Sequence, residues 1–450
     1  MTGTVAVIGG GLAGITAALR CADAGTRVTL FEGRPRLGGL THSFKRGDLD
    51  VDNGQHVFLR CCTAYLDLIE RLGVTGDVTV QRRLAIPVVA PGRAPVVLGR
   101  DPLPAPLHLA RSLLGYTPLS LAERVRFVRA ALAMKRLDVD AAATDAQSFG
   151  AWLAAHGQSR RAIDAMWDLV GVATLNARAD DASLALAAKV FQTGLLTEAS
   201  AADIGWSRVP LGRLHGTAGE LAMTAAGVEV LTSAKVSAVR PAGTGWLVDR
   251  RPFDQVISAV PPDVAARILP PGVLPADGGL RTSPIVNVHV VYDREVLDRP
   301  FVAAIDSPAQ WIFDRTAASG LTEGQYLAVS LSAAEAFIDV PVATLRTWML
   351  PALEDVLPGT RGAVVRDFFV TRERHATFRP SPGVNRLRPS ATTALRGLWL
   401  AGAWTATGWP ATMEGAVRSG DTAAAGALDL SATGRAATGS AMSTLDGVST

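Results

Sequence analysis

The sequence predicts an α/β fold in which a Rossmann-like nucleotide-binding domain is assembled from separated pieces and a second domain is inserted between them. Three observations predict this. An apolar run from Val5 to Ile8 leads into Gly9, Gly11 and Gly14. A second run, Val28 to Phe31, ends on Glu32, and strand-like segments return far downstream at Val256–Val260 and Leu398–Gly402. Strand, glycine turn, helix, strand and acid in this order form the pattern that grips an adenine dinucleotide.

Each element has its own physical reason. Gly9 permits the tight turn out of the strand, Gly11 lets the backbone approach a pyrophosphate, and Gly14 lets the helix lie close on the sheet. Leu12 and Ala13 stand at the helix start, whose N–H groups face the phosphates. Glu32 lies 18 residues beyond Gly14, near the spacing of about 20 at which a carboxylate accepts hydrogen bonds from a ribose diol. An acid there disfavours a 2′-phosphate.

Gly38-Gly39 follows, then Asp50 to His56, then a helical run from Ala64 to Leu72. Leu84 to Leu98 reads as two strands about the turn Pro91-Gly92-Arg93. Helical periodicity dominates from Pro106 to Leu196. Its clearest case is Ser120 to Leu137, with a Ser120/Glu123 capping box and Leu121, Val125, Val128 and Leu132 on one stripe. Strand patterns return at Val228–Leu231, Val236–Val239, Trp246–Val248, Ile285–Val291 and Tyr326–Leu331, and Thr412 to Leu428 reads as a helix. The small, polar composition from Ser431 onward predicts disorder at 431–450.

Composition narrows the function. A chain of 450 residues is long enough for two domains with substantial cores. Its 44 basic and 41 acidic residues leave a net charge of +3, so no net field attracts nucleic acid. With 19% charged and 48% hydrophobic residues, the chain is more apolar than usual; this suits a greasy ligand, or reflects its alanine content. The three cysteines, Cys21, Cys61 and Cys62, build no disulfide framework and fit a reducing cytoplasm. No apolar run is long enough to span a bilayer, so membrane contact, if any, is peripheral, at the inner face of the membrane. The histidines show no paired ligand spacing and Cys61-Cys62 lacks CxxC geometry, so no metal site is expected.

Three segments together are similar to the amine oxidase and carotenoid desaturase superfamily of FAD proteins. They are Val7 to Gly14 with Gly38-Gly39, Asp52 to Val57, and Leu400 to Trp404 with Gly408 to Gly420. The run Asp52-Asn53-Gly54-Gln55-His56, together with Gln310 to Arg315, resembles the hydroxysqualene dehydroxylases of bacterial squalene and hopanoid biosynthesis. The resemblance extends to about Leu428. It implies an FAD-binding domain of the glutathione reductase type over 1–75, 205–275 and 376–430, with an α+β substrate domain over 76–204 and 276–375. The implied cofactor contacts are the glycine set, Glu32, Gly33, Arg34, Leu40, Gly54, Gln55, His56 and Val236, and in the closing segment Gly402, Ala403, Pro410, Ala411, Thr412 and Met413.

Two departures stand out. Many members carry an arginine after the paired glycines, where this chain has Leu40; a basic contact is then missing, or is supplied by Arg34, Arg36, Lys45 or Arg46. Many carry an aspartate after the glycine of the last strand, where this chain has Ala403. Losing that carboxylate would weaken flavin binding by about 1–3 kcal/mol, the scale of a charged hydrogen bond.

The implied reaction replaces the allylic hydroxyl of a C30 isoprenoid, hydroxysqualene, with hydrogen. Departure of a hydroxyl from carbon needs a proton donor. His56 is the first candidate, because its pKa suits exchange near neutrality, and Asp52 and Glu414 are the alternatives if burial raises their pKa. The same residues can instead pin a loop through backbone hydrogen bonds. The start of the last helix, Pro410 to Met413, can place partial positive charge near a reduced flavin. No second glycine motif marks a nicotinamide domain, so electrons would come from free NAD(P)H or a redox protein. Superfamily resemblance alone also admits a desaturase or isomerase of another polyisoprenoid or carotenoid, and a flavin-free prenyl-binding protein. Two further features carry open alternatives. The helix with Arg124, Arg126, Arg129, Lys135 and Arg136 either rests on an anionic bilayer or is a domain helix with a solvated face. Trp152, Trp167, Trp206, Trp311, Trp348, Trp404 and Trp409 either line a tunnel or pack cores.

Overall fold

The computed structural model describes residues 3–275 and 279–443. Five parallel strands form the nucleotide sheet, in the order Glu229–Leu231, Arg27–Phe31, Thr4–Ile8, Gln255–Ser258, Leu398–Leu400. Three distant stretches of chain therefore build one sheet. Val5, Val7, Leu30, Val256, Ile257, Leu398 and Leu400 are all buried, as expected of a parallel sheet covered on both faces.

The opening helix, Leu12–Asp23, and the closing helix, Met413–Ser443, cover one face and pack on each other. Arg20 of the first pairs with Asp421 of the second at 2.7 Å. The other face meets an antiparallel ribbon, Val239–Ala242, Gly245–Val248 and Arg251–Phe253, through Phe253 edge-on to Phe31. Gly9 leaves the first strand with a φ of +110°, which a side chain would strain. Gly14 is tighter still: a Cβ there would lie 1.8 Å from the Gly9 carbonyl oxygen.

A seven-stranded sheet carries the second core. Its order is Val365–Phe378, Thr282–Tyr292, Gln325–Leu331, Trp311–Asp314, Phe301–Ala304, Ala85–Val89, Val96–Gly99, antiparallel except where Phe301–Ala304 meets Ala85–Val89. Helix Val342–Val356 packs with this sheet, and helices between Ala110 and Phe191 form a separate layer. The hairpin Ser43–Arg46/Leu49–Asp52 and a small sheet of Val57–Leu59, Val78–Val80 and Ile204–Ser207 complete the strand structure between the two larger sheets.

Several expectations change in the structure. The segment expected as a strand at Val236–Val239 pairs only from Val239, because the Asp249 carboxylate takes the N–H groups of Ser237 and Ala238 in place of a neighbouring strand. The capping box at Ser120 and Glu123 forms, but the Leu121 stripe faces solvent and Ala130, Ala131 and Met134 are the buried side chains. The tryptophans do not share one lining. Trp152 and Trp167 lie in one core with Trp404, Trp206 and Trp311 flank Phe301, and Trp348 is exposed beside Phe337. The closing helix runs past Ser431 to Ser443, since alanine-rich sequence sustains a helix; residues 444–450 lie outside the described ones. Among the described residues the cysteines are free and no helix is long and apolar enough to cross a membrane.

Gly14→Ala is expected to lower stability by at least about 1–3 kcal/mol, the range for overpacking, because its nearest neighbour is backbone. Urea unfolding of the two proteins measures this, and equal midpoints would refute the close-approach reading.

Candidate functional site

The opening helix starts at Gly11 with no side-chain cap and no acid in its first turn. Its N-terminal N–H groups and the positive end of its dipole are left for an anion. Glu32 stands beside them: one carboxylate oxygen accepts the Gly10 N–H at 2.7 Å and the other accepts the Arg34 N–H at 2.7 Å. Each oxygen keeps a lone pair for a diol. The Glu32 and Arg34 carbonyls in turn accept the N–H groups of Ala234 and Ser233, which brings the Val236 segment alongside Gly33.

Gly38 donates its N–H to the Gly10 carbonyl at 2.8 Å, and Gly39 faces Gly11. Of the four cations that could replace the arginine missing at Leu40, Lys45 pairs with Asp50 and Arg46 pairs with Asp367 while stacking on Phe369. Arg36 is the one that reaches the Gly39 carbonyl, at 3.5 Å.

Asn53 locks the Asp52–His56 loop onto these glycines. Its amide donates to the Leu40 carbonyl at 2.8 Å, its side-chain oxygen accepts the His42 N–H, and its own N–H donates to the His42 carbonyl. Asn287 and Thr371, from two strands of the large sheet, donate to the Asn53 carbonyl from the other side. The buried Gln55 Nε2 and Asn287 Oδ1 have no protein partner.

The two candidate carboxylates are both held by donors within the protein. Asp52 is buried and accepts from Ser43 Oγ at 2.6 Å, from the Leu211 N–H at 2.9 Å and from Arg315 at 2.7 Å. Arg315 also donates to the Ser207 carbonyl. Glu414 is buried at the start of the closing helix and caps a different one, accepting the N–H groups of Ala64 and Tyr65 at 3.3 and 2.8 Å and pairing with Arg418. Both carboxylates spend their oxygens on donors from other parts of the chain.

His56 places Nδ1 3.2 Å from the Gly54 carbonyl, and burial lowers its pKa from the usual histidine value. Burial likewise pushes His42 down to about 4 and His215 and His289 down to about 3. His215 shares a hydrogen bond with the Tyr65 hydroxyl at 2.8 Å, and His289 is held between Tyr326 and Thr371. Glu373, on the strand beside Thr282–Tyr292, is a carboxyl that the sequence reading missed; burial raises its pKa. No sequence pattern marks it, because its setting comes from strand pairing.

At the far edge of the sheet, Gly402 donates its N–H to Ser419 Oγ at 2.7 Å and its carbonyl accepts from Thr405. Thr412 Oγ1 accepts the Gly415 N–H at 3.1 Å, so Pro410, Ala411 and Thr412 form the entry to the closing helix that begins at Met413. Beneath Ala403, the buried Arg388 donates to the Ala403 carbonyl at 3.1 Å and stacks on Phe378. Burial lowers its pKa to about 10. Among the described residues no cluster of potential metal ligands occurs.

An uncapped helix, a carboxylate poised for a diol and an unpartnered amide beside paired glycine loops fit an adenine dinucleotide carrying a redox ring. The arrangement defines a dinucleotide-binding oxidoreductase whose nucleotide sheet is closed by the last strand of the chain. The family model for flavin containing amine oxidoreductase matches residues 12–428. The chain belongs to that family, and its cofactor is FAD.

Known relatives agree. Hydroxysqualene dehydroxylase of Rhodopseudomonas palustris is 29% identical over 432 residues, covering 89% of this chain and 92% of that protein. The corresponding protein of Sinorhizobium fredii is 28% identical over 422 residues. Zeta-carotene desaturase of Zea mays is 32% identical over 177 residues, but the match spans only 37% of this chain and 31% of the desaturase. Among solved structures, a redesigned putrescine oxidase superposes with a TM-score of 0.73 at 18% identity, over 95% of this chain and 99% of that one. Cyclohexylamine oxidase from Brevibacterium oxydans gives 0.71 at 19% identity, over 96% and 100%. These likenesses establish the fold.

Replacing Arg315 by Met leaves Asp52 buried without its cation, and the expected loss is about 3–5 kcal/mol, read from urea unfolding. The Asp52→Asn/Arg315→Met double variant is expected to lose less than the two single losses added together. A second expectation concerns pH. His42, His215 and His289 have folded pKa values below their ordinary 6.5, so between pH 6.5 and about 4 the unfolded chain binds more protons. Their contribution to stability is intact above 6.5 and shrinks as pH falls, by about 1.4 kcal/mol per pH unit for each ring. His289→Gln is expected to flatten the measured slope by one such increment.

Proposed function

We propose that this flavoprotein removes the allylic hydroxyl of hydroxysqualene and leaves hydrogen in its place, producing squalene and water. The observation that carries this reading is the Asp52–His56 loop, anchored by Arg315 and Asn53 beside the glycine turns, in a chain that aligns over nearly its full length with hydroxysqualene dehydroxylases. Bound FAD, once reduced by NAD(P)H or a redox protein, supplies the hydride equivalent.

The chain's own residues do the rest. Arg315 and Asn53 fix the loop backbone so that the imidazole of His56 is held at one place. With Nδ1 directed to the Gly54 carbonyl, Nε2 is the atom that exchanges a proton with the departing oxygen. Burial makes the protonated ring scarce but strongly acidic when it forms, which favours protonation of a poor leaving group. Asp52 and Glu414 position other groups. The partial desaturase match favours a second reading, oxidation of a polyene by the oxidised enzyme.

Incubating anaerobically reduced protein with hydroxysqualene is expected to yield squalene and return the yellow colour of oxidised flavin. His56→Gln is expected to retain flavin and lose about 10²–10⁴-fold in kcat. A flavin-loaded wild-type protein that forms no squalene, yet desaturates a carotene when oxidised, would replace the first reading with the second.

A further inference from the structure

The Leu121–Met134 helix has two apolar faces. One, formed by Ala130, Ala131 and Met134 together with Phe127, packs inward, with the Phe127 ring 4.5 Å from that of Trp167. The other is the row Leu121, Val125, Val128 and Leu132, left 64%, 45%, 42% and 43% exposed. A helix on the surface of a soluble domain has one such face and buries it. Leu114, 67% exposed, adjoins the row, since its carbonyl accepts a hydrogen bond from Arg124. Among the described residues, eight of the sixteen exposed large apolar side chains fall between Val97 and Leu132, a concentration beyond the ordinary scatter of a protein surface.

The charges around the row are all of one sign. At about 100° per residue, Arg124 falls on one flank of the row and Arg129 on the other, and Lys135 and Arg136 follow directly at the end of the helix. Among the described residues Arg126, Arg129, Lys135 and Arg136 form no ion pair, and Glu123, the one acid of the helix, is engaged by Ser120 and Ser159. Two copies meeting through this face about a twofold axis would bring like charges together. A surface that is negative at its boundary and oily beneath satisfies both features.

We propose that the Leu121–Met134 helix is the docking surface of this protein for an anionic lipid bilayer, its leucine–valine row entering the headgroup boundary while Arg129, Lys135 and Arg136 meet the phosphates. The surface belongs to the helical layer, on an element separate from the nucleotide sheet. It stands whichever isoprenoid the enzyme converts.

The test is co-sedimentation of the full-length holoprotein with phosphatidylcholine vesicles, with and without phosphatidylglycerol. Binding is expected only to the anionic vesicles and is expected to weaken as salt rises. Arg129→Gln/Arg136→Gln should lower affinity by about 25-fold, roughly fivefold for each charge, and Leu121→Asp/Val128→Asp by at least about tenfold. Leu221→Asp, at an exposed apolar position of another helix, should leave binding unchanged. All substituted side chains are exposed, and unchanged urea midpoints would show that the variants fold. Binding that ignores phosphatidylglycerol, that survives the paired substitutions or that is lost equally in Leu221→Asp would overturn the proposal. So would self-association of the wild type that Leu121→Asp/Val128→Asp abolishes, which would assign the face to a second copy.

Discussion

The buried pair of Arg315 and Asp52 is the constraint on which the site depends. A guanidinium and a carboxylate with side chains 9% and 5% exposed survive in a protein interior only if every lone pair and N–H finds a partner. Here the requirement draws separate stretches together: the Ser43–Asp52 hairpin, the Ser207–Gly212 segment and the end of the strand Trp311–Asp314. The Asn53 loop then has one position available. It lies between the glycine turns of the nucleotide sheet and the strands of the large sheet, tied to both by hydrogen bonds.

A division of labour among the titratable groups follows. The carboxylates that motif position nominates for proton transfer, Asp52 and Glu414, are taken up by donors and serve as ties. The histidines near the loop are held neutral by burial. Three groups at the site form no ion pair among the described residues: the partly buried His56 ring, Gln55, whose Nε2 has no protein partner, and Glu373, whose carboxyl burial pushes toward its protonated form. Arg388 introduces a cation beneath Ala403, so the departure from the family pattern there is accompanied by a different electrostatic element and not merely by a lost acid.

Much of this was legible in the chain. The glycines, Glu32 and the two runs around them announce the nucleotide sheet because their constraints are local: a carbonyl 1.8 Å from a would-be Cβ permits one residue type. Local rules fail where the deciding partner is remote. The row from Leu121 to Leu132 has helical spacing, yet spacing names a face and not which side of the protein it meets. The segment from Val236 to Val239 alternates like a strand, yet Asp249 takes the N–H groups of Ser237 and Ala238. An acid in a motif looks the same whether it donates a proton or anchors a loop, and only Arg315, 263 residues away in sequence from Asp52, separates the two.

The nucleotide sheet also ties the start of the chain to its end. Thr4–Ile8 lies between strands that arrive from residues 27–31 and 255–258, the outer strand comes from 398–400, and Glu414 caps the helix that begins at Thr63. During synthesis on the ribosome, the first strand, helix and glycine turn emerge long before the partners that bury them. Until the helix from Met413 clears the exit tunnel, that apolar surface stays uncovered, so the first strand and helix of a nascent chain of this design are exposed to aggregation for most of translation.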